Sequence, residues 1–334
     1  MKKTIHIFVI LICSYLIILI LSCSKRDQNT TLVKIGINQW TGYDPFILAD
    51  KMDFFKKNNV RVKIKRYASA TEEIKAMKNG EIQGAGFTLD EAFSLITSGF
   101  KGKIVLVIDY SMGGDMIIGQ KNIRSISELK NKKVGYEGSV VGEFLLDQAL
   151  HKNYIKSSSV ELINVHAKNW LSAFREKRVD ALVCFNPVAT TLLNKEEGNL
   201  LFSSAQIPFE IIDVLVFSEA FYNNNKTSVE NILKGWFDSL KFIGTDTDKA
   251  AEIISSVKNI SPEEYKLSQK DLIAPNLKMN KVVFDPKSDK NIYKYSQVIV
   301  DFMISKGLLS KRINTSEIFS SDVLIKINNN NTGK

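Results

Sequence analysis

Cysteine and histidine offer the most versatile chemistry in this sequence, which contains three residues of each type. A catalytic thiol needs a base within hydrogen-bonding reach, and the candidate bases for Cys184 are His151 and His166. Cys184 ends an apolar segment that begins at Ala181, which favours a small buried side chain over a nucleophile. His166 has no placed catalytic partner, and the cysteine and histidine spacings typical of metal sites are missing. We therefore predict a protein without a catalytic site, a metal or a cofactor.

Gly138 and Ser139 offer a second kind of chemistry, because they precede a segment that is predicted to be a helix. The first N–H groups of a helix lack partners within it, and together with the helix dipole they attract an anion. A serine at this place is also the usual N-cap of a helix. The pair therefore indicates either an anion-binding helix start or an ordinary cap.

The N-terminus has the order of an export signal. Lys2 and Lys3 precede an apolar run over residues 5–21, which is borderline in length for a transmembrane helix. The run ends in the tetrapeptide ILSC at 20–23, which resembles the lipobox of bacterial lipoproteins and would make Cys23 the lipidated new N-terminus. Several acyl chains on one cysteine would anchor the protein stably to the cell membrane, facing the periplasm or the cell exterior. An uncleaved N-terminal anchor is the alternative.

The composition is that of a domain that folds without disulfides. The chain has 334 residues, 44% of them hydrophobic, which is enough to bury a large core. Outside the predicted signal and lipid site only Cys184 remains, so no disulfide can form within one chain. The formal net charge is +9, but the lysines are scattered and form no basic stripe with interleaved aromatic residues. We expect a monomer that does not bind nucleic acid.

Predicted strands and helices alternate along most of the chain. Such alternation is typical of parallel sheets covered by helices, and two blocks of it predict an α/β protein with two lobes. Strands are predicted at 33–38, 60–67, 83–87, 104–110, 133–136, 160–165, 181–185 and 213–217. Helices are predicted at 46–57, 71–78, 141–151, 170–177, 228–244, 248–258, 262–268 and 292–306.

The order of these elements predicts the domain organisation. No strands are predicted among the helices after residue 217, so we expect these helices to pack on the first lobe. The predicted parts are a signal peptide over 1–22, a lipid-anchored tether over 23–31, a discontinuous first lobe over 32–120 and 208–327, a second lobe over 121–207 and a disordered tail over 328–334.

Several short motifs follow one another along the chain. They are WTGYDP at 40–45, GFTLD at 86–90, GGD at 113–115, SELKNKKV at 127–134, YEGS at 136–139, DALV at 180–183 and NP at 186–187. In the order and spacing of these motifs, the chain resembles the solute-binding proteins of ABC transporters in the nitrate, sulfonate and taurine group. The resemblance implies a type II periplasmic-binding-protein fold, in which two Rossmann-like lobes are joined by two hinge crossings and close over a ligand in the cleft between them. It also implies an ABC permease and an ATPase as partners.

The implied fold indicates where a small-molecule ligand would bind, because ligands of such folds lie beyond the carboxyl ends of the sheet strands. The candidate ligand-binding residues are Trp40, Thr41, Tyr43, Ser69, Thr88, Asp90, Asp109, Ser111, Asp115, Glu137, Ser139, Val140, Asn186 and Asp213. Trp40 and Tyr43 are candidates for a wall against a flat or cationic ligand, since the faces of their rings attract cations. Packing of a lobe against a helix is the alternative role for both.

Acidic residues are frequent among these candidates, although the protein as a whole is basic. The acidic candidates are Asp90, Asp109, Asp115, Glu137 and Asp213. Together they would repel a purely anionic ligand such as nitrate. They favour a ligand with an amine or amidine-like group, such as a pyrimidine-like amine or a taurine-like zwitterion whose acidic end meets the helix start. Helix capping or bonding to the hinge backbone is the alternative role for these carboxylates.

Capture of a ligand for an ABC importer by hinge closure is the predicted function, and two alternatives remain. A lipoprotein that senses its ligand and reports to a membrane signalling protein would have the same fold and cleft. Synthases of the thiamine pyrimidine precursor share this fold class and are the enzymatic alternative. The sequences of such synthases have a cysteine-rich, histidine-using pattern, which this sequence lacks. In addition, a cytoplasmic enzyme needs no export signal.

Overall fold

The structure is a computed structural model that describes residues 31–328. The predicted signal peptide, Cys23 and nearly all of the predicted tether and tail lie outside these residues. Residues 33–328 belong to one compact unit. Within residues 31–328, none of the helices is both long enough and apolar enough to cross a membrane.

Two separate sheets carry the strands. In chain order the strands are β1 (Val33–Ile37), β2 (Val62–Arg66), β3 (Gly84–Thr88), β4 (Gly102–Ser111), β5 (Asp115–Gln120), β6 (Lys133–Tyr136), β7 (Glu161–Asn164), β8 (Ala181–Phe185), β9 (Gly198–Ser203), β10 (Ile212–Ser218) and β11 (Leu272–Ile273). The first sheet has six strands in the order β11-β4-β10-β3-β1-β2, and the second has five in the order β7-β6-β8-β5-β9. β1 pairs in parallel with β2 and β3, and β6 with β7 and β8, whereas β10 and β5 run antiparallel to their neighbours.

Helices cover both sheets. They are α1 (Asp44–Lys51), α2 (Phe54–Lys57), α3 (Ala70–Lys78), α4 (Leu89–Thr97), α5 (Val140–Lys152), α6 (Trp170–Arg175), α7 (Val188–Asn194), α8 (Glu219–Asn224), α9 (Lys226–Thr245), α10 (Thr247–Lys258), α11 (Pro262–Gln269), α12 (Leu277–Val283), α13 (Ile292–Ser305), α14 (Thr315–Ile318) and α15 (Asp322–Lys326). The central strands β4 and β10 are buried on both faces, which explains why their sequences are apolar almost throughout.

The region after β1 contains two helices where one was predicted over 46–57. α1 ends at Lys51 and α2 begins at Phe54. Asp53 between them has a φ of +57°, outside the right-handed helical region, so a single helix cannot continue through it. The long helix α9 packs on α1, where the ring centroids of Phe46 and Trp236 are 4.4 Å apart.

The chain crosses between the two sheets twice, from β4 to β5 and from β9 to β10. The crossings contact each other, since Oγ of Ser204 lies 2.8 Å from Oγ of Ser111 and accepts a hydrogen bond from the N–H of Gly113 at 2.7 Å. This arrangement confirms the predicted α/β fold of two lobes with two crossings. The second sheet begins at Asp115, ahead of the boundary that the sequence suggested at residue 121, because β5 pairs with β8 and β9.

The two lobes also contact each other beyond the pair of Ser111 and Ser204. Lys306, directly after α13, forms an ion pair of 2.6 Å with Asp147 of α5. Near the end of β8, Nδ2 of Asn186 donates a hydrogen bond to Oδ2 of Asp271 at 3.0 Å. The structure therefore has its two lobes closed on each other.

Candidate functional site

A cavity lies between the lobes at the ends of the strands, and we call it the cleft. The first lobe contributes the loops after β1, β2 and β3 and the start of β10, and the second contributes the start of β5 and the loops after β6, β7 and β8. The volume of the cleft is about 60 Å³, room for roughly four to six water-sized groups. A larger ligand therefore requires the lobes to move apart.

Aromatic rings from both lobes form the apolar walls of the cleft. The ring of Phe185 lies edge-on to Trp40, with centroids 5.5 Å apart, and edge-on to Trp170 at 4.9 Å. The indole of Trp170 is fixed by a hydrogen bond from its Nε1 to the carbonyl oxygen of Val165 at 2.9 Å. Such rings give rigid surfaces that suit a flat or cationic ligand.

A buried carboxyl group fixes the indole ring of Trp40 by a hydrogen bond. Its Nε1 donates a hydrogen bond to Oδ2 of Asp109 at 3.1 Å, and Asp109 is completely buried. Gly42 permits this contact, because a Cβ atom at Gly42 would lie 1.8 Å from that Oδ2 and 2.5 Å from Nε1 of Trp40. Trp40 is therefore part of the packed core as well as a wall of the cleft.

Replacing Gly42 by alanine is expected to destabilise the protein by about 2 kcal/mol, because the added methyl group overlaps a buried contact. Chemical denaturation monitored by circular dichroism measures this change. Gly244 near the end of α9 is the matched control, since a Cβ atom there has no neighbour within 4 Å. Gly244→Ala should be neutral or stabilising, and similar losses in both variants would contradict the close approach at Gly42.

Carboxyl groups supply the charge of the cleft. Those that line it are Glu91, Asp115, Glu137 and Asp213, and no lysine or arginine among residues 31–328 lines it. Burial raises the pKa of Asp115 to about 6. Burial, with the charge of Asp90 adding to it, raises the pKa of Glu91 to about 8. A cation in the cleft would favour the ionised form of each carboxyl group.

Asp213 of the first lobe and Glu137 of the second lobe both line the cleft. Burial raises the pKa of Asp213 well above its usual value, and the charge of Asp109 adds to this effect. The hydroxyl of Tyr43 donates a hydrogen bond to Asp213. Burial also raises the pKa of Glu137, whose Oε1 has no hydrogen-bond partner among residues 31–328. Glu137 therefore has an oxygen available for a ligand.

The structure brings part of the predicted set together around the cleft. The predicted residues that line it are Trp40, Tyr43, Ser69, Thr88, Asp115, Glu137, Ser139 and Asp213. The predicted residues outside its lining are Thr41, Asp90, Asp109, Ser111, Val140 and Asn186. Several polar side chains of the second group form hydrogen bonds within the protein. For example, Oγ1 of Thr41 donates to Oδ2 of Asp44 at 3.0 Å, and Asn186 bonds to Asp271.

The start of α5 shows the capping role that was the alternative for Ser139. Its Oγ accepts a hydrogen bond from the N–H of Gly142 at 3.4 Å. Asp90 of the first lobe lies close to the same helix start. Burial raises the pKa of Asp90 to about 6, and a hydrogen bond from the backbone N–H of Val141 counteracts part of this increase. This helix start thus already faces a carboxyl group of the protein.

Several residues of the cleft were missed by reasoning from the sequence. Glu91 accepts a hydrogen bond from the N–H of Thr88 at 3.0 Å, and this capping pattern of a threonine followed three residues later by a glutamate was readable. Trp170 and Phe185 gave no such signal, because the direction of a side chain at a strand or helix end depends on the tertiary fold. The other missed residues are Asn38, Gln39, Ala68, Ala70, Val141, Ala167, Pro187 and Val188.

Cys184 lies buried in β8 as a free thiol, which confirms the prediction of a small buried side chain. Burial raises its pKa above the usual value, so the thiolate is disfavoured. Among residues 31–328, no group of three or more histidine, cysteine, aspartate or glutamate side chains is arranged to hold a metal ion.

Comparison with known proteins identifies the family. Residues 26–258 match the model of the NMT1-like family. The chain belongs to the NMT1-like family. A relative from Brucella abortus that is named as a binding protein is 25% identical over 200 residues, which are 60% of this chain and 61% of the relative. A relative from Haemophilus influenzae, named for thiamine biosynthesis, is 26% identical over 283 residues, which are 81% of this chain and 85% of the relative.

This member of the NMT1-like family has the fold of solved periplasmic binding proteins. The alkanesulfonate-binding protein of Xanthomonas axonopodis pv. citri bound to MOPS matches with a TM-score of 0.73 and 14% identity over 87% of this chain and 98% of that one. The nitrate-binding protein of Synechocystis PCC 6803 matches with a TM-score of 0.71 and 13% identity over 89% and 88%. At these identities the likeness establishes the fold alone, and it agrees with the type II periplasmic-binding-protein fold that the sequence motifs implied. Both neighbours are named as binding proteins.

Proposed function

We propose that the protein is an extracytoplasmic solute-binding protein that captures a small organic cation for an ABC importer. One observation carries this proposal, namely that carboxyl groups and aromatic rings line the cleft, while no lysine or arginine does so in the part of the chain that the structure describes. The acidity is local, because the whole chain has a formal net charge of +9. The family and the fold of the solved binding proteins support a role in capture rather than in catalysis.

The charge of the cleft selects against an anion. Nitrate or a sulfonate would lie beside Asp115 and Glu137 without a cationic side chain in the lining to balance it. A cation reverses this situation, since it compensates the burial that raises the pKa of both carboxyl groups. The proposed ligand therefore differs in charge from those named for the nitrate-binding and alkanesulfonate-binding neighbours.

The aromatic walls favour a flat ligand. Trp40, Trp170 and Phe185 suit a ring with delocalised positive charge, such as a protonated aminopyrimidine. The Haemophilus influenzae relative supports this class, because thiamine contains an aminopyrimidine. A taurine-like zwitterion is less favoured, since Ser139 caps α5 and its helix start faces Asp90.

Hinge closure is the mechanism that we propose for capture. The first lobe offers Trp40, Glu91 and Asp213 to the ligand, and the second offers Asp115, Glu137 and Phe185. A ligand bound to one lobe in the open form gains the contacts of the other on closing, which shifts the population towards the closed form. A permease that recognises the closed form would then receive loaded protein. Cys23 would hold the protein at the membrane by its lipid.

A thermal-shift screen of the purified protein tests this function. Aminopyrimidines and benzamidine are expected to raise the unfolding midpoint, because a ligand at one hundred times its Kd stabilises the folded state by about 2.7 kcal/mol. Nitrate, taurine and alkanesulfonates at the same concentrations should leave the midpoint unchanged. Stabilisation by nitrate, taurine or an alkanesulfonate, with none by the cations, would overturn the proposed ligand class.

A further inference from the structure

The two lobes bring carboxyl groups of the same charge together at the cleft. The first lobe contributes Glu91 and Asp213 to its lining, and the second contributes Asp115 and Glu137. Together with the buried Asp90 and Asp109 of the first lobe, we call these residues the carboxyl cluster. Because the volume of the cleft is only about 60 Å³, the carboxyl groups of one lobe are close enough to repel those of the other when both are ionised.

Asp115 connects the charges of the two lobes, because it is the first residue of β5 after the crossing from β4. Burial is the main cause of the raised pKa values of Asp90, Asp109 and Asp213, and the charge of Asp115 adds to the increase in all three. Three oxygens of the cluster, Oδ2 of Asp90, Oδ1 of Asp109 and Oε1 of Glu137, are buried without a hydrogen-bond partner among residues 31–328. An ionised oxygen in such a place is costly, so the neutral form of these groups is favoured.

Few groups of the protein offset the charge of the carboxyl cluster. In the described part of the chain, no lysine or arginine lines the cleft. Burial raises the pKa of Glu137, and the backbone of Ala167 and the charge of His166 counteract part of this increase. The ion pair of Lys306 with Asp147 joins the two lobes, but neither residue lines the cleft. The charge that ionisation gives the cluster is therefore removed by protons or by a bound cation.

We propose that protons on the carboxyl cluster take the place of the ligand in holding the two lobes closed. The ligand-free protein is closed at acidic pH, where the carboxyl groups are neutral, and it opens as they ionise and repel each other across the cleft. A cation in the cleft closes it again. The response to protons depends on the cluster alone, whereas closure by a cation rests on the proposed function. Because protons and the cation compete for the same groups, capture weakens in an acidic medium.

Small-angle X-ray scattering of the purified protein at pH 5 and pH 9, with and without benzamidine, tests this response, and circular dichroism verifies that the protein stays folded. Without ligand, the radius of gyration is expected to increase by roughly 1 Å from pH 5 to pH 9, from about 19 Å for a folded chain of this size. Benzamidine at pH 9 should reverse the increase. Equal radii at both pH values without ligand would overturn the role of protons. An increase that benzamidine does not reverse would support that role and contradict the proposed ligand class.

Variants of the cluster identify the source of the response. Asp115→Asn keeps the size of the side chain but removes its charge from the second lobe, so the increase in radius should fall by roughly half or more. Glu161→Gln is the matched control, because Glu161 is exposed on β7 of the same lobe and does not line the cleft. If Asp115→Asn fails to fold, Asp213→Asn removes a charge of the cluster from the first lobe instead. A full increase in a folded variant of the cluster would show that the opening has another cause.

Discussion

Binding of an organic cation in the cleft is expected to weaken by roughly 10- to 100-fold when Glu137 is replaced by glutamine. The Oε1 of Glu137 is buried without a hydrogen-bond partner from the described residues, and burial raises the pKa of this carboxyl group. A bound cation would give that oxygen a charge-assisted hydrogen bond. Glutamine keeps the size of the side chain but removes its charge, so the loss should fall on cationic ligands.

Isothermal titration calorimetry with a cationic hit of the thermal-shift screen and with its neutral analogue measures this loss. Glu161→Gln is the matched control, because Glu161 is exposed on β7 and does not line the cleft. We expect the control to bind as the unaltered protein does. A loss of the same size for cation and neutral analogue in Glu137→Gln would show that the residue shapes the cleft and does not act by charge.

The free energy of unfolding of the ligand-free protein is expected to fall as the pH rises from 6 to 8. Burial raises the pKa of Glu91 and of Asp109 to about 8 in the folded protein, whereas both groups ionise near pH 4 when unfolded. The folded state therefore holds more protons than the unfolded state between these values. The contribution of these two groups to the free energy of unfolding is fully present below pH 4 and is lost as the pH rises through about 8. Each group contributes about 2 kcal/mol between pH 8 and pH 6.

Thermal unfolding at pH 6, 7 and 8 measures this slope, and the midpoint should rise by roughly 5 to 10 °C from pH 8 to pH 6. The formal net charge of +9 acts in the opposite direction, since added protons increase the repulsion within a basic protein. Glu91→Gln should flatten the slope, while Glu161→Gln, at an exposed site, should not. A midpoint that falls on acidification in the unaltered protein would contradict the burial of these carboxyl groups as neutral species.

The fold was predictable because its strongest signals are local. Strands such as Lys133–Tyr136 and Ala181–Phe185 have the predicted bounds, since buried parallel strands are short apolar runs between turn residues. β5 over Asp115–Gln120 was missed as a separate strand and remained with the first lobe in the predicted boundaries. Its assignment to the second sheet depends on pairing with β8 and β9, which are distant in sequence.

The candidate site was predictable in its position and only partly in its residues. The sequence by itself determined that polar and aromatic residues such as Trp40, Asp115 and Glu137 would follow the strands, because strand ends can be read from local patterns. Only the tertiary structure decided which side chains point into the cleft. Thr41 and Asn186 occupy equivalent positions but bond within the protein, whereas other residues of the cleft gave no signal. Side-chain direction depends on contacts between segments far apart in the chain, and no local pattern contains them.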